Sequence, residues 1–466
     1  MVQAAPYRLL SLDSFSTLAA LSLPAACSDK LRQNDPGFVE LSLERMGENF
    51  DLEEFVFAIR ANHTVKHVCF SGTFVRELQE EQWRTMLEAI GHLDTLEELQ
   101  IWCATIPVDV LSQMVMTASR LRKVYFFRVG LAGINENFQD LARVVRNHPS
   151  LRDLRIGGLH LVESTEPISL DCVIEALAET PRLEVVSLQL QGTQQPVPFS
   201  AAALGKLFES KTIQDLYLSR LGLGADHFAM IAKAIEVNDN CLRTLDLFGN
   251  SIKNDSIMLM ANGLKKNTSL ETLVLPCPQS DLSVESCAAI SAALSENKTL
   301  VTLNLPRSYL CDDGLFHIAQ GLTLNKSLKK LEVGISNNLG NKGMEALTEM
   351  LEKNYDLERL LLDSAEKSIK EKVDHFMHLN EVGRGKLLSN GKSTRQQWVE
   401  MLISCSDDLD CLFYFTTMNP ALCQFANPSR AAVIITEEFR PSRRHTIDYV
   451  SEQPSRRTEN RRASAF

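Results

Sequence analysis

The sequence has none of the features that usually mark a membrane protein, a disulfide-bonded protein or a zinc protein. No run of about 20 apolar residues occurs in its 466 residues, so we expect no membrane-spanning helix. The eleven cysteines include no CxxC pair, and their number is odd. A disulfide framework is therefore not expected, and free thiols favour a reducing, cytoplasmic compartment.

Positive charge and catalytic motifs are also scarce. The net charge is −11, whereas nucleic acids and anionic membranes are bound by clustered lysine and arginine. The chain has no GxSxG or HExxH motif, and GKLLSNGKST at 385–394 has its glycines one place too far apart for a P-loop. We predict a non-enzymatic chain with no catalytic residues, metal or cofactor, which binds neither nucleic acid nor membrane.

What the sequence does have is one phrase that returns along most of its length. It reads LRTLDLFGNSI from Leu242 and LVTLNLPRSYL from Leu300, with apolar residues at positions one, four and six. Twelve copies begin at Phe38, Val65, Leu96, Leu121, Leu151, Leu183, Ile213, Leu242, Leu270, Leu300, Leu328 and Leu357. The first and last starts are 319 residues apart over eleven steps, or 29 residues per step. Such a period is typical of solenoid proteins.

Each unit has room for a short strand and an α-helix. Segments such as ADHFAMIAKAI, at 225–235, carry apolar residues at helical spacing after the phrase. Three buried leucine-like side chains per strand contribute roughly 5–9 kcal/mol, which does not offset the conformational entropy of ordering one unit. The units must therefore stack. The sequence predicts an α/β solenoid, a horseshoe with a parallel sheet on its concave face and α-helices on its convex face.

The repeat resembles the ribonuclease-inhibitor class of leucine-rich repeats. The matching features are LxxLxL followed by a helix, and a linking phrase that here reads KNTSLETL, ENKTLVTL and LNKSLKKL. The resemblance covers about 38–365 and implies a protein-binding scaffold. A second stretch, from HLNE at 378–381 through Trp398 and DDLDCLFYF to NPALC, is similar to an extension in uncharacterised leucine-rich repeat proteins of unicellular algae. This second resemblance implies no activity.

Asparagine recurs just before the phrase. Asn62, Asn267, Asn297 and Asn325 each begin an N-x-S/T triplet three residues before a phrase. We interpret them as turn residues rather than glycosylation sites, because asparagine tolerates the left-handed conformation that ends many helices. Only Asn250 stands at the ninth position of the phrase, where this repeat class usually has asparagine. The first half of the array is therefore expected to be less regular.

The array needs ends, because its terminal units expose apolar faces. We predict an N-terminal lead-in or cap at 1–37, with a targeting segment within 1–26 left open, and the solenoid at 38–365. A helical C-terminal cap is expected at 366–428 and a disordered basic tail at 429–466. From Arg430 the tail has eight arginines against five acidic residues. Two Arg-Arg-x-Ser/Thr sites make Thr446 and Ser464 phosphorylation candidates, and phosphorylation would cancel an attraction between the tail and the acidic body.

The candidate binding residues face away from the core. Strand side chains alternate, so the fifth position of the phrase and the one two residues later point into the concavity. Aromatic and arginine residues dominate protein-binding hot spots, and they gather here in two groups. The candidates are Trp102, Tyr125, Phe127, Arg128, Arg155, Tyr217, Asp246 and Phe248. The alternative is that the rings lie flat on the sheet and fill gaps between strands.

We therefore predict a monomeric scaffold that binds a partner protein on its concave face. The alternative is a GTPase-activating regulator resembling the Ran GTPase-activating proteins, which use this repeat class. Those proteins typically carry an acidic C-terminal tail, whereas the tail here is basic, and this difference counts against the alternative.

Overall fold

A computed structural model describes residues 25–44, 50–72, 74, 78–161, 168–190, 199–275, 282–335, 341–363, 367–388 and 393–420. The chain divides into two compact units, 1–391 and 392–466. The phosphorylation candidates Thr446 and Ser464, the basic tail and nearly all of the segment considered for targeting lie outside the described residues. Among the helices that are described, none is both long and apolar enough to cross a bilayer.

One parallel sheet runs through the first unit. Its main path has the order β1-β2-β3-β5-β7-β8-β9-β10-β11-β12-β13-β14, and two short strands lie beside it, β4 paired with β6 and β6 also with β7. The strands are β1 Glu40–Leu43, β2 His67–Phe70, β3 Glu98–Trp102, β4 Thr105–Pro107, β5 Lys123–Phe127, β6 Gly130–Ala132, β7 Asp153–Leu161, β8 Val185–Leu190, β9 Asp215–Ser219, β10 Thr244–Asp246, β11 Thr272–Val274, β12 Thr302–Leu310, β13 Lys330–Ile335 and β14 Arg359–Asp363. Each main-path strand begins two residues after the first apolar residue of a phrase.

Helices alternate with these strands. In the first unit they are Ala25–Gln33, Leu52–Arg60, Glu80–Gly91, Val108–Thr117, Asn135–Arg146, Asp171–Glu179, Ala201–Glu209, Ala225–Val237, Asn254–Lys266, Val284–Glu296, Asp312–Leu324, Asn341–Lys353, Lys367–Val382 and Arg384–Leu388. Neighbouring helices pack side by side along the array. Helices are about 10 Å wide and strands about 4.8 Å apart, so such a stack bends toward its strand side. The predicted α/β solenoid is confirmed.

The core lies between the sheet and the helices. In the unit that begins at Leu242, the three apolar phrase positions are buried, and the following helix buries Ile257 and Met260 against them. The remaining units repeat this arrangement, and their buried side chains join into one continuous cluster from Leu31 to Met377. The helix-side residues of one unit therefore complete the core of the next, as a stacked array requires.

The asparagines before the phrase form a hydrogen-bonded ladder, and the reason we gave for them from the sequence is wrong. Asn267, Asn297 and Asn325 have φ values of −72°, −70° and −74°, which is not the left-handed region. Asn297 instead donates from Nδ2 to the carbonyl oxygens of Leu264 and Asn267, at 2.8 and 3.0 Å. Its Oδ1 accepts the N–H group of Leu300 at 2.8 Å. These amides are buried, in keeping with a structural role and not with glycosylation.

The ladder changes composition along the array and ends at an arginine. Thr180 and His148 occupy the same place in two middle units and contact the carbonyl oxygens of Val145 and Ala118. At the other end, Arg384 is fully buried. Its Nη2 donates to the carbonyl oxygens of Leu351 and Asn354, at 2.8 and 2.9 Å. The helix that contains Arg384 therefore closes the ladder.

The second unit contains two described helices, Arg395–Ser404 and Leu409–Met418. Thr394 begins the first helix with a capping box, and Asp408 accepts the N–H group of Cys411 at the start of the second. The rings of Trp398 and Phe415 meet edge to face at 6.4 Å. The two helices are therefore held together by a small aromatic core. The residues 366–428, predicted as a C-terminal cap, fall partly in the first unit and partly in the second.

Candidate protein-binding surface

The fifth positions of the twelve phrases form one unbroken row across the sheet. In register order they are Ser42, Cys69, Gln100, Tyr125, Arg155, Ser187, Tyr217, Asp246, Val274, Asn304, Glu332 and Leu361. Because strand side chains alternate, this row lies opposite the buried leucines. The strand face of the sheet is thus a surface on which side chains from successive units are direct neighbours.

Trp102, Phe127 and Arg128 form the first part of an aromatic cluster. The rings of Trp102 and Phe127 are 4.9 Å apart at 50°, and Trp102 and Phe127 are register partners in β3 and β5. The Arg128 guanidinium lies 5.6 Å from the centre of the Phe127 ring. On the next strand is Gly157, where an added Cβ would approach the Phe127 ring to 3.2 Å. Glycine at this position gives the ring room to lie across the strand.

Tyr125, Asp153 and Arg155 complete this cluster through hydrogen bonds. The Tyr125 hydroxyl donates to Asp153 Oδ2 at 3.0 Å. Arg155 donates to both carboxylate oxygens of Asp153, from Nε at 2.9 Å and from Nη2 at 3.1 Å, and its guanidinium lies 5.4 Å from the Tyr125 ring centre. Burial, followed by the charge of Asp153, raises the pKa of Tyr125. The phenol therefore stays protonated and remains a donor.

Tyr217, Asp246 and Phe248 form a second group three strands further along. Tyr217 and Asp246 are register partners in β9 and β10, and Asp246 Oδ1 accepts the N–H group of Phe248 at 2.7 Å. Burial raises the pKa of Asp246. The guanidinium of Arg220 lies 5.9 Å from the centre of the Phe248 ring. The structure thus gives this group an arginine–aromatic pair like that of Arg128 and Phe127.

The candidate rings are half-buried. They are neither fully exposed, as a binding patch alone would suggest, nor fully buried, as rings that only fill gaps between strands would be. Trp102, Tyr125, Phe127, Tyr217 and Phe248 all have intermediate exposure. Each ring thus leaves part of its surface open on the strand face. Their role in binding stays a prediction.

Sequence reasoning missed Asp153 and Arg220. Asp153 lies two residues before Arg155 on β7, so strand alternation alone places it on the same face. Arg220 directly follows β9 and has φ +53°, and only the main-chain conformation brings it beside Phe248. Asp153 could have been found by including the third position of the phrase, which faces the same side of the sheet as the fifth. Arg220 had no signal in a single repeat.

Arg220 belongs to a set of left-handed residues that share one position of the phrase. Among the units whose eighth phrase position is described, that position has positive φ in six, at Gly72, Cys103, Arg128, Gly158, Arg220 and Gly249. Glycine adopts this conformation without strain, whereas other L-residues lose about 1–2 kcal/mol there. Two arginines therefore occupy positions where other units of the same array have glycine.

A polar groove lies at the edge of the sheet where strands β5, β7 and β8 begin. It encloses about 450 Å³ and is lined by Arg122, Lys123, Arg152, Asp153, Glu184 and Val185. Its cations are already paired, Arg122 with Glu97 at 3.5 Å and Arg152 with Glu184 at 2.9 Å. These pairs join consecutive units, and they leave the groove with little free charge to offer a ligand.

No family model matches the chain. NACHT, LRR and PYD domains-containing protein 5 of Homo sapiens is 26% identical over 274 residues, 52% of this chain and 22% of that protein. NACHT, LRR and PYD domains-containing protein 13 of Homo sapiens is 31% identical over 126 residues, 27% of this chain and 12% of that protein. The chain thus spans less than a quarter of the length of these relatives.

Two solved structures are similar to this chain at low sequence identity. The complex of Rad7 and Elc1 in yeast covers 75% of this chain and 79% of that chain, with 15% identity and a TM-score of 0.40. The TLR13–ssRNA13 complex covers 68% of this chain and 38% of that chain, with 18% identity and a TM-score of 0.38. The order of the parallel strands and the period of the repeat indicate an array of stacked repeats, and the two relatives named above are LRR proteins by name. The fold is that of a leucine-rich repeat protein.

The leucine-rich repeat sheet carries one cysteine in its outward-facing row. Burial raises the pKa of Cys69 to about 11, so the thiol is neutral at physiological pH and is not an activated nucleophile. The aromatic residues further along the strand face contact one another and arginine. The chemistry this row offers is packing, hydrogen bonding and ion pairing, which are the means of recognition.

Proposed function

We propose that this leucine-rich repeat protein is a non-enzymatic scaffold that binds a partner protein on its strand face. The observation that carries the proposal is the pair of aromatic groups on one strand face, Trp102 with Tyr125 and Phe127, and Tyr217 with Phe248. Rigid, half-exposed aromatics with arginine are the residues that dominate protein interfaces. Contiguous exposed apolar patches on a protein surface often mark interaction sites.

The proposal extends to the type of repeat and the setting. Units of about 29 residues with one strand and one α-helix support the ribonuclease-inhibitor type. Eight cysteines within the described part of the chain are free, which supports a cytoplasmic protein, and we propose that it is monomeric. A GTPase-activating role has no contact in its favour on the described surface, and we do not propose it.

Affinity capture with matched variants tests the proposal. Trp102→Ala together with Tyr125→Ala removes two rings from the strand face, whereas Phe57→Ala removes an aromatic ring that is 65% exposed on a helix. We expect a captured protein to be lost with the double variant and retained with Phe57→Ala, and the purified pair to bind at least tenfold more weakly when both rings are absent.

Two results would refute the scaffold proposal. One is capture that is equal for the wild type and the double variant. The other is loss of the partner with Phe57→Ala, which would place the interface on the helices. Circular dichroism of each variant distinguishes lost binding from lost folding.

A further inference from the structure

Two arginine–aromatic pairs stand at the same edge of the sheet, the edge at which the strands end. Arg128 lies over Phe127 and Arg220 over Phe248, with guanidinium-to-ring distances of 5.6 and 5.9 Å. Both arginines are exposed, and both have φ +53°. The two arginines with Phe127 and Phe248 are called the arginine edge below.

The guanidinium groups of the arginine edge have donors to spare. Stacking on a ring uses the flat face of a guanidinium and leaves its in-plane N–H groups free for a carboxylate. Within the described part of the chain, neither Arg128 nor Arg220 forms an ion pair, whereas Arg155, on the same face, is paired with Asp153 at 2.9 Å. Positive charge is therefore presented at two separate points of an otherwise acidic protein.

The left-handed main chain is the second observation. Gly158 and Gly249 occupy the equivalent position in units next to or near these arginines, so the fold itself does not need a side chain there. Residues kept in a strained conformation that glycine would relieve occur mostly at functional sites. The arginine side chains are thus present at a cost to the main chain, as residues at functional sites often are.

The spacing of the arginine edge limits what fits it. Arg128 follows β5 and Arg220 follows β9, and the order β5-β7-β8-β9 puts three strand steps between them. At about 4.8 Å per step the separation is about 14 Å, and the lean of Arg220 toward β10 lengthens it to about 19 Å. An extended peptide advances about 3.4 Å per residue, so four to six residues cover this distance. Even spacings also place both side chains on one face.

We propose that the arginine edge binds an extended acidic segment of a partner protein, with two carboxylates four to six residues apart. This inference rests on the proposed scaffold function and names the chemistry of its partner. A nucleic acid fits less well, because it has a phosphate on every nucleotide, and the carboxylates of Asp153, Asp215 and Asp246 lie on the same strand face. A peptide can carry neutral or basic residues between its two acids and so avoid them.

Fluorescence anisotropy on the purified full chain tests the inference with defined probes. The first two probes are labelled 12-residue peptides with two glutamates four or six residues apart in a Ser/Thr/Val background. The comparison probes have adjacent glutamates, or lysines in place of the glutamates. We expect at least one of the spaced peptides to bind at least tenfold more tightly than either comparison probe, and binding to weaken with added salt.

Three variants identify the surface responsible. Arg128→Gln with Arg220→Gln should weaken binding of the spaced peptide at least tenfold. Arg128→Gly with Arg220→Gly should do the same while relieving the left-handed strain, and a urea titration of this variant distinguishes lost binding from lost folding. Arg243→Gln removes the same charge from an exposed residue at the opposite edge of the sheet and should leave binding unchanged.

The inference is overturned if the spaced peptides bind no better than the comparison probes or if Arg243→Gln weakens binding as much as the double variants. It is also overturned if a 12-nucleotide single-stranded RNA binds more tightly than either spaced peptide. Such a failure leaves the scaffold proposal standing when partner capture still depends on Trp102 and Tyr125. If the spaced peptides bind as expected but partner capture does not depend on Trp102 and Tyr125, the proposal that these two rings bind the partner is refuted.

Discussion

His148 accepts the main-chain N–H group of Leu151 at its Nδ1 atom, over 3.1 Å. Its Nε2 atom lies 3.2 Å from the carbonyl oxygen of Ala118 in the preceding unit. Asn297 makes the same pair of contacts, accepting from Leu300 and donating to a carbonyl oxygen of the unit before it. A neutral imidazole with its proton on Nε2 therefore replaces an asparagine in the ladder, and protonation of Nδ1 would destroy the contact with Leu151.

Stability should consequently depend on pH at His148. Burial lowers its pKa below the ordinary value of 6.5, so the unfolded chain binds a proton more readily than the folded chain does. The stabilisation is complete above about pH 6.5 and is lost as the pH falls from there toward the folded-state pKa, by up to about 1.4 kcal/mol per pH unit. Urea unfolding between pH 5 and 7.5 measures this loss. His148→Asn should flatten that dependence while preserving both hydrogen bonds, and an unchanged slope would show that another group titrates.

Removing one amide of the asparagine ladder should lower the free energy of unfolding substantially. Asn297→Ala leaves the N–H group of Leu300 and the carbonyl oxygen of Leu264 without their partner in a buried place, and each such group costs about 1–3 kcal/mol. We expect a loss of about 2–4 kcal/mol in the free energy of unfolding. Asn147→Ala is the matched control, because its amide donates to the carbonyl oxygen of Arg143 at an exposed helix end and should change stability by less than about 1 kcal/mol. Equal losses would mean that burial of the ladder is unimportant.

The period of the sequence was enough to predict the sheet, because strand alternation fixes which residues face the core and stacking fixes their neighbours. The row from Ser42 to Leu361 follows from that alone, and the register agrees with it throughout. The asparagine ladder was recognised as structural, but its mechanism was wrong, since a hydrogen bond to the preceding unit is invisible within one repeat. The pairing of Arg220 with Phe248 depends on a left-handed φ and on the offset of two strands. Neither quantity can be read from residue spacing.

The rings proposed for binding should contribute modestly to folding. Trp102 and Tyr125 are half-buried, so replacing both with alanine should cost about 2 kcal/mol and lower the melting temperature by only a few degrees. Phe228 is 1% exposed in the core, and Phe228→Ala should cost about 3–5 kcal/mol. Thermal melts followed by circular dichroism compare the two. A double variant that melts as early as Phe228→Ala would identify the two rings as core residues, contrary to their proposed role.

The C-terminal end of the ladder should depend on Arg384. Its Nε donates to Asn380 Oδ1 at 2.8 Å, and its guanidinium lies 5.0 Å from the Tyr355 ring and 4.9 Å from the Phe376 ring. Arg384→Met keeps the length of the side chain but removes every donor, which leaves buried carbonyl oxygens of the last units unpaired. Hydrogen exchange should then accelerate by at least tenfold in 341–388 and remain unchanged in the helix Leu52–Arg60. Acceleration throughout the chain would show that the array unfolds as a whole and that this end is not an independent cap.

The two arginines of the arginine edge should lower stability, and glycine should restore it. Each non-glycine residue in the left-handed region loses about 1–2 kcal/mol, while the stacking of each arginine on its ring, Phe127 or Phe248, returns about 0.5–1 kcal/mol at an exposed position. The difference predicts that Arg128→Gly with Arg220→Gly raises the free energy of unfolding by about 1 kcal/mol in urea titrations. Arg128→Ala with Arg220→Ala removes the same stacking without relieving the strain, so it should be less stable than the wild type. If the glycine variant were also less stable, the side chains would be serving the fold, and the strain could not be taken as a sign of binding.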